Sequence, residues 1–169
     1  MKKLFNTPFA MLLCMAMAVV FTACEPEPET IDEDERTLAF LCDGQTIADG
    51  STFTSSKLDE SYTALGMTRF VPGIDLVGNS DGEVTVIVES LNETMVEICA
   101  FGGCQKGYVT NVSGDITANT LLPLDIHYTP VTSGGNDGYY AKVLVTAYYE
   151  GKEEKAVSFT LVMTNMKVE

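Results

Sequence analysis

Residues Glu83–Glu89 read EVTVIVE. Val84, Val86 and Val88 fall on one side of an extended chain, with Glu83, Thr85 and Glu89 on the other. A period of two with one polar face is the pattern of a half-buried antiparallel strand. The same alternation recurs downstream. Between Leu122 and Tyr128, Leu122, Leu124, Ile126 and Tyr128 share a side, opposite Asp125 and His127. Tyr139–Tyr149 groups Ala141, Val143, Val145 and Ala147, and Val157–Met163 groups Val157, Phe159, Leu161 and Met163.

Between these runs lie turn signals: DGQ from Asp43, GNSDGE from Gly78, GGNDG from Gly134 and EGKEE from Glu150. Asn136-Asp137-Gly138 suits a hairpin tip, because Asn, Asp and Gly tolerate positive φ. No stretch carries a helical stripe of useful length. Several short strands at this spacing predict a single all-β domain, a β-sandwich ahead of an open barrel.

The N-terminal end is of a different kind. Met1-Lys2-Lys3 is basic, Leu4–Thr22 is mainly apolar without an acid, and Thr22-Ala23 precedes Cys24. A basic start, an apolar core and small residues at the end mark an export signal. The uninterrupted apolar run is shorter than the roughly 20 residues a membrane-spanning helix needs. The segment FTAC resembles a bacterial lipobox, with Phe21 where leucine is usual. The resemblance implies a signal peptide over 1–23 and lipidation of Cys24. Residues 24–36 then hold seven carboxylates and two prolines. Such a run repels itself and buries nothing, so it reads as a flexible tether. Acidic residues just after a lipidated cysteine also resemble the surface-export signal of Bacteroidetes lipoproteins; a plain solvated linker is the alternative. Localisation at the bacterial outer membrane, on the cell surface, is the resulting expectation.

Charge excludes one class of partner. The 169 residues carry a formal net charge of −14, with 24 acids and 10 bases. Two of those bases, Lys2 and Lys3, lie in the leader. A polyanion without a basic stripe is repelled by nucleic acid. Residues 37–169 have the length of one domain.

The second half resembles immunoglobulin-like domains of Bacteroidetes cell-surface and secreted proteins. Its order is a strand, then EICAFGGCQ, a turn-rich segment, SGDITANTLLPLDIHYTP, GYYAKVLVTAYYEG and AVSFTLVMTN. Cys99 and Cys104 match a C-x4-C-like loop, and His127, Tyr128 and Pro130 match an H-Y-x-P strand end. TLAFLCDGQTIADGSTFT at 37–54 resembles the opening strands of the same modules. The resemblance implies a non-catalytic structural or interaction module and brings no catalytic residues.

Cys14 and Cys24 belong to the export segment, which leaves Cys42, Cys99 and Cys104. Export permits disulfides, and the glycines of the AFGG loop favour Cys99–Cys104, with Cys42 odd. A rearranged bridge from Cys42 is an alternative. A zinc site from Cys42, Cys99, Cys104 and His127 has suitable ligand types but lacks the usual spacings. No metal and no cofactor are therefore expected.

Catalysis finds little to work with. His127 is the sole histidine and is expected to be a surface strand residue beside Asp125. No phosphate-binding glycine loop that follows a strand and opens a helix is present. Asn79-Ser80-Asp81-Gly82-Glu83 offers oxygens for calcium but lacks an EF-hand loop's length and closing acid, so it reads as a plain turn. Outward tyrosines are the one hint of binding. With Ala141, Val143 and Val145 inward, Tyr140 and Tyr148 face out beside Lys142 and Thr146. Tyrosine suits recognition but is also simply common in strands. The expectation is a lipid-anchored envelope module contacting an envelope protein or glycan. A surface binder of a glycan or host ligand is the alternative, and a small acidic hydrolase the third.

Overall fold

The computed structural model describes residues 35–130 and 138–166. The export segment, Cys24, the acidic run up to residue 34 and Asn136-Asp137 of the expected hairpin tip lie outside the described residues. Ile31–Glu169 is one compact unit.

Among the described residues, eleven strands form two sheets. β1 (Leu38–Cys42), β2 (Gln45–Ile47), β4 (Ile74–Gly78), β6 (Val96–Ala100), β7 (Gly103–Gly107) and β9 (Leu122–His127) make the first, in the order β2-β1-β4-β9-β6-β7. β3 (Thr52–Ser55), β5 (Gly82–Ser90), β8 (Val109–Ile116), β10 (Tyr140–Tyr149) and β11 (Val157–Thr164) make the second, in the order β3-β11-β10-β5-β8. All pairs are antiparallel except β3 beside β11. Let β1, β4, β5, β6, β9, β10 and β11 be A to G in chain order. The first sheet then contains A-B-E-D and the second G-F-C, the strand order of an immunoglobulin constant-type sandwich. The protein is an immunoglobulin-like β-sandwich.

The alternating apolar residues make its interior. Val84, Val86 and Val88 on β5, Ala141, Val143, Val145 and Ala147 on β10, and Phe159, Leu161 and Met163 on β11 are all buried. Phe40, Ile74, Leu76, Ile98, Leu124 and Ile126 of the first sheet are also buried. The Phe40 and Phe159 rings, one from each sheet, lie 4.9 Å apart at 59°. Each buried Val, Leu, Ile, Phe or Met side chain contributes about 1.5–3 kcal/mol by leaving water.

Several elements exceed what the pattern predicts. The segment expected to be turn-rich after Cys104 is largely strand: β7 completes a hairpin with β6, and β8 forms the outer edge beside β5. β8 escapes notice because its inward positions include Thr110 and Gly114 beside Val112 and Ile116. Gly114 has no side chain because a Cβ there would meet the Phe101 ring within 3 Å. A one-turn helix, α1 (Glu60–Ala64), is also present. Its five residues bury nothing, so no stripe announces it; the Asp59 carboxylate starts it by accepting from the Ser61 and Tyr62 amides. The end of the acidic segment rests on the domain. Asn79 Nδ2 donates to the Glu35 carbonyl, and the Arg36 guanidinium lies 5.6 Å from the centre of the Tyr149 ring.

Candidate functional site

Cys99 and Cys104 are directly opposed on β6 and β7 and form a disulfide. The hairpin between them turns at Phe101 and Gly102, with φ of 52° and 75°. Two successive positive φ values define a type I′ turn, whose twist matches paired strands. Cys42 is a free thiol, separated from β6 by β4 and β9. Its Sγ lies 3.6 Å from the Pro72 carbonyl, and burial pushes its pKa up, reinforced by the Asp43 carboxylate.

The disulfide does not stand alone. Antiparallel register sets Glu97 opposite His127, and Cys99 opposite Asp125. Glu97 and Cys99 are two residues apart on β6, as are Asp125 and His127 on β9. All four therefore project from the outer face of the first sheet. His127 Nε2 comes within 3.8 Å of Cys99 Sγ, and Glu97 Oε1 within 4.0 Å of the same sulfur. Asp125 Oδ1 is 2.8 Å from His127 Nδ1, although that oxygen lies out of line for a hydrogen bond from the ring.

His127 corrects an expectation. Alternation places it on the outward side, as the pattern requires, yet only 3% of it is exposed. The half-buried Glu97 and Cys99 of the neighbouring strand shelter the ring, so an outward position is not a surface position here. Pattern reading set Asp125 beside it but missed Glu97 as a companion. The signal was present in the equal two-residue spacings E-x-C and D-x-H, but the strand register that unites them could not be read from one sequence.

Other candidates resolve differently. The oxygens of the Asn79–Glu83 turn are occupied in holding the backbone. Asn79 Oδ1 accepts from the Thr37 amide at 2.8 Å, and Asp81 Oδ1 from the Ala118 amide at 2.7 Å. A surface cleft of about 310 Å³ gathers Asp43, Lys57, Asp75 and Asp125, but no serine, cysteine or histidine lines it. Its candidates for the hydrolase reading are the three carboxylates and Lys57.

Tyr140 and Tyr148 do face outward from the second sheet. Tyr140 is exposed, whereas Tyr148 is half-buried. Eight residues of strand put them roughly 26 Å apart, too far for one aromatic platform. Tyr140 has nearer company. Register sets Leu144 opposite Glu89, and Glu89 opposite Val109. The Leu91 amide bonds the Lys142 carbonyl, and the Ser90 amide the Tyr108 carbonyl. Leu91, Tyr108, Val109 and Tyr140 thus gather at one end of the second sheet, with relative exposures of 47%, 55%, 66% and 37%.

Among the described residues, a disulfide hairpin on one sheet and an apolar end on the other mark out this immunoglobulin-like module. Comparison with known proteins agrees at the level of fold. The chain is similar to the N-terminal domain of PorA: 13% identity, a TM-score of 0.54, 76% of this chain and 96% of that one. A PapD-like domain of human CEP192 aligns at 13% identity and a TM-score of 0.38, over 78% and 87% of the two chains. No family model and no curated protein matches the sequence.

Proposed function

We propose that the protein is a non-catalytic interaction module of a bacterial cell envelope. A lipid on Cys24 holds it to the outer membrane, and the acidic segment carries the sandwich away from the bilayer, toward the cell exterior. The observation that carries the interaction role is the apolar end of the second sheet. Exposed Leu91, Tyr108, Val109 and Tyr140 lie at that end, and groups of exposed apolar side chains mark contact surfaces. The partner is an envelope protein, because an apolar patch interleaved with Glu89 and Lys142 suits a protein face better than a sugar. The glycan or host-ligand reading loses the pairing of Tyr140 with Tyr148, which stand too far apart for one stacking surface. The export signature and the disulfide are consistent with an oxidising compartment.

Site-specific photo-crosslinking in cells tests this. A crosslinker at Val109 is expected to give discrete protein adducts, and one at the exposed Thr46 of the other sheet none. Equal labelling from both positions, or none from Val109, would refute the reading.

A further inference from the structure

We propose that Cys99, Cys104, His127 and Glu97 become a zinc site when the Cys99–Cys104 disulfide is reduced. The four residues carry the right donors, two thiolates, an imidazole nitrogen and a carboxylate, which together make a closed tetrahedral set. Cys99, common to the Glu97 and the His127 neighbourhoods, already stands near the expected distance from two of the others. Zn–S bonds of about 2.3 Å and Zn–N or Zn–O bonds of about 2.0–2.1 Å at tetrahedral angles set S···N and S···O edges of about 3.6 Å. The edges found are 3.8 Å from Cys99 Sγ to His127 Nε2 and 4.0 Å from Cys99 Sγ to Glu97 Oε1. Glu97, Cys99 and Cys104 present ligand atoms that all lie within 4.8 Å of one another, as do Cys99, Asp125 and His127.

Two features point to a ligand rather than to a chance cluster. His127 is only 3% exposed, and its Nδ1 has no hydrogen-bond partner in good line. Its other nitrogen, Nε2, is aimed at the sulfur. Behind it, the Asp125 carboxylate stands 2.8 Å from Nδ1, where a small ring rotation makes the carboxylate–histidine pairing that orients metal-binding imidazoles. Two strand pairings on either side of β6 hold the whole group, so little has to be ordered on binding.

In the oxidised protein the sulfurs are bonded to each other and supply no thiolate. A dithiol reductant opens the site in two exchanges. Its thiolate attacks Sγ of Cys104, the exposed member of the pair, forming a mixed disulfide and releasing Cys99 as thiolate. Its second thiol then closes on the first and releases Cys104. Two electrons pass to the protein, two cysteines gain protons, and the reductant leaves as its cyclic disulfide. Zn²⁺ displaces those two protons as it binds, so uptake releases two protons per metal.

The test uses the full chain with Cys14, Cys24 and Cys42 changed to serine, so that only this pair remains. A phosphine reduces the disulfide without adding thiols: it takes one sulfur, and water then converts the adduct to phosphine oxide and two thiols. Zinc titration against a chromophoric chelator should show one equivalent bound by the reduced protein, at least 100-fold more tightly than by the oxidised one. Co²⁺ in place of zinc should give the sulfur-to-metal charge-transfer band and visible bands of a tetrahedral thiolate site. His127→Gln and Glu97→Gln should each weaken binding 10-fold or more, and Asp125→Asn 10- to 100-fold. Circular dichroism of the reduced, metal-free protein reports whether the sandwich persists. Equal zinc uptake by both redox forms would overturn the proposal, as would affinity unchanged by His127→Gln. So would a reduced protein that neither stays folded nor refolds on adding zinc.

Discussion

The contact between Phe40 and Phe159 offers the sharpest test of the two-sheet packing. Phe40 lies on β1 and Phe159 on β11, they are 2% and 1% exposed, and their ring centroids are 4.9 Å apart. Tilted aromatic pairs at this distance contribute about 0.5–1.5 kcal/mol beyond burial. Phe40→Leu and Phe159→Leu keep most of the volume, so each is expected to cost about 1–1.5 kcal/mol. Each single change already abolishes the ring pair, and the double change loses it only once. The double variant should therefore be less destabilised than the sum of the singles, by about 0.5–1 kcal/mol. Guanidinium unfolding at equilibrium measures all four proteins of the cycle, with equal slopes required before midpoints are compared. Additivity within roughly 0.3 kcal/mol would mean that the rings do not touch. The face-to-face stacking of the sheets would then be wrong at its centre.

Further outcomes follow from other contacts. The Tyr149 hydroxyl donates to the Ser80 carbonyl at 2.7 Å, so Tyr149→Phe should lower stability by about 1 kcal/mol in urea unfolding, and no change would show the bond to be idle. Gly78→Ala would place a Cβ 2.5 Å from Ile116 Cδ1 and closer still to the Tyr149 hydroxyl; overpacking of this kind costs about 1–3 kcal/mol, read as a lower melting temperature. A hydrogen bond with Glu150, and then the charge of Glu150, hold the Glu83 carboxyl above its ordinary range. A raised acid stabilises the fold while protonated, and that stability is lost as pH rises through its folded pKa. Glu150→Gln should therefore raise the melting temperature at pH 7 and bring the Glu83 titration down, as followed by carbon-detected NMR. Asp59 is the reverse case. Its carboxyl is held low, first by the Ser61 hydroxyl and then by helix amides, so its support of α1 is lost on acidification below the ordinary carboxylate range; Asp59→Asn should leave amide protection there insensitive to pH.

How much of this was legible in the sequence depends on what kind of signal each element sends. β5, β9, β10 and β11 alternate cleanly because one face of each meets the core, and their positions were readable to within a residue or two. The Cys99–Cys104 bridge was readable as well, since two glycines between the cysteines permit the tight turn. β6, β7 and β8 were not. Glycine, cysteine, glutamine and lysine on β7 carry no apolar alternation, because β7 is a largely exposed edge, whereas β6 does alternate, with Val96, Ile98 and Ala100 buried, but over only five residues. The opening of the domain also concealed its pairing: β3 is short and runs parallel to β11, a contact set by residues more than a hundred positions away. The candidate metal cluster was half visible. The ligand types Cys99, Cys104 and His127 were legible, but Cys42 seemed an equal member and Glu97 did not. Only the β6–β9 register shows which four share a face.

Under the proposed function, Cys24 anchors this domain at the outside of the cell, where its apolar end is available to a partner. Protease accessibility on intact cells, with a Cys24→Ala form alongside, tests that most directly. Digestion of the wild-type domain without lysis is expected, together with release of the Cys24→Ala protein from the membrane fraction. Protection of the wild-type protein until lysis, or unchanged membrane association of Cys24→Ala, would contradict it.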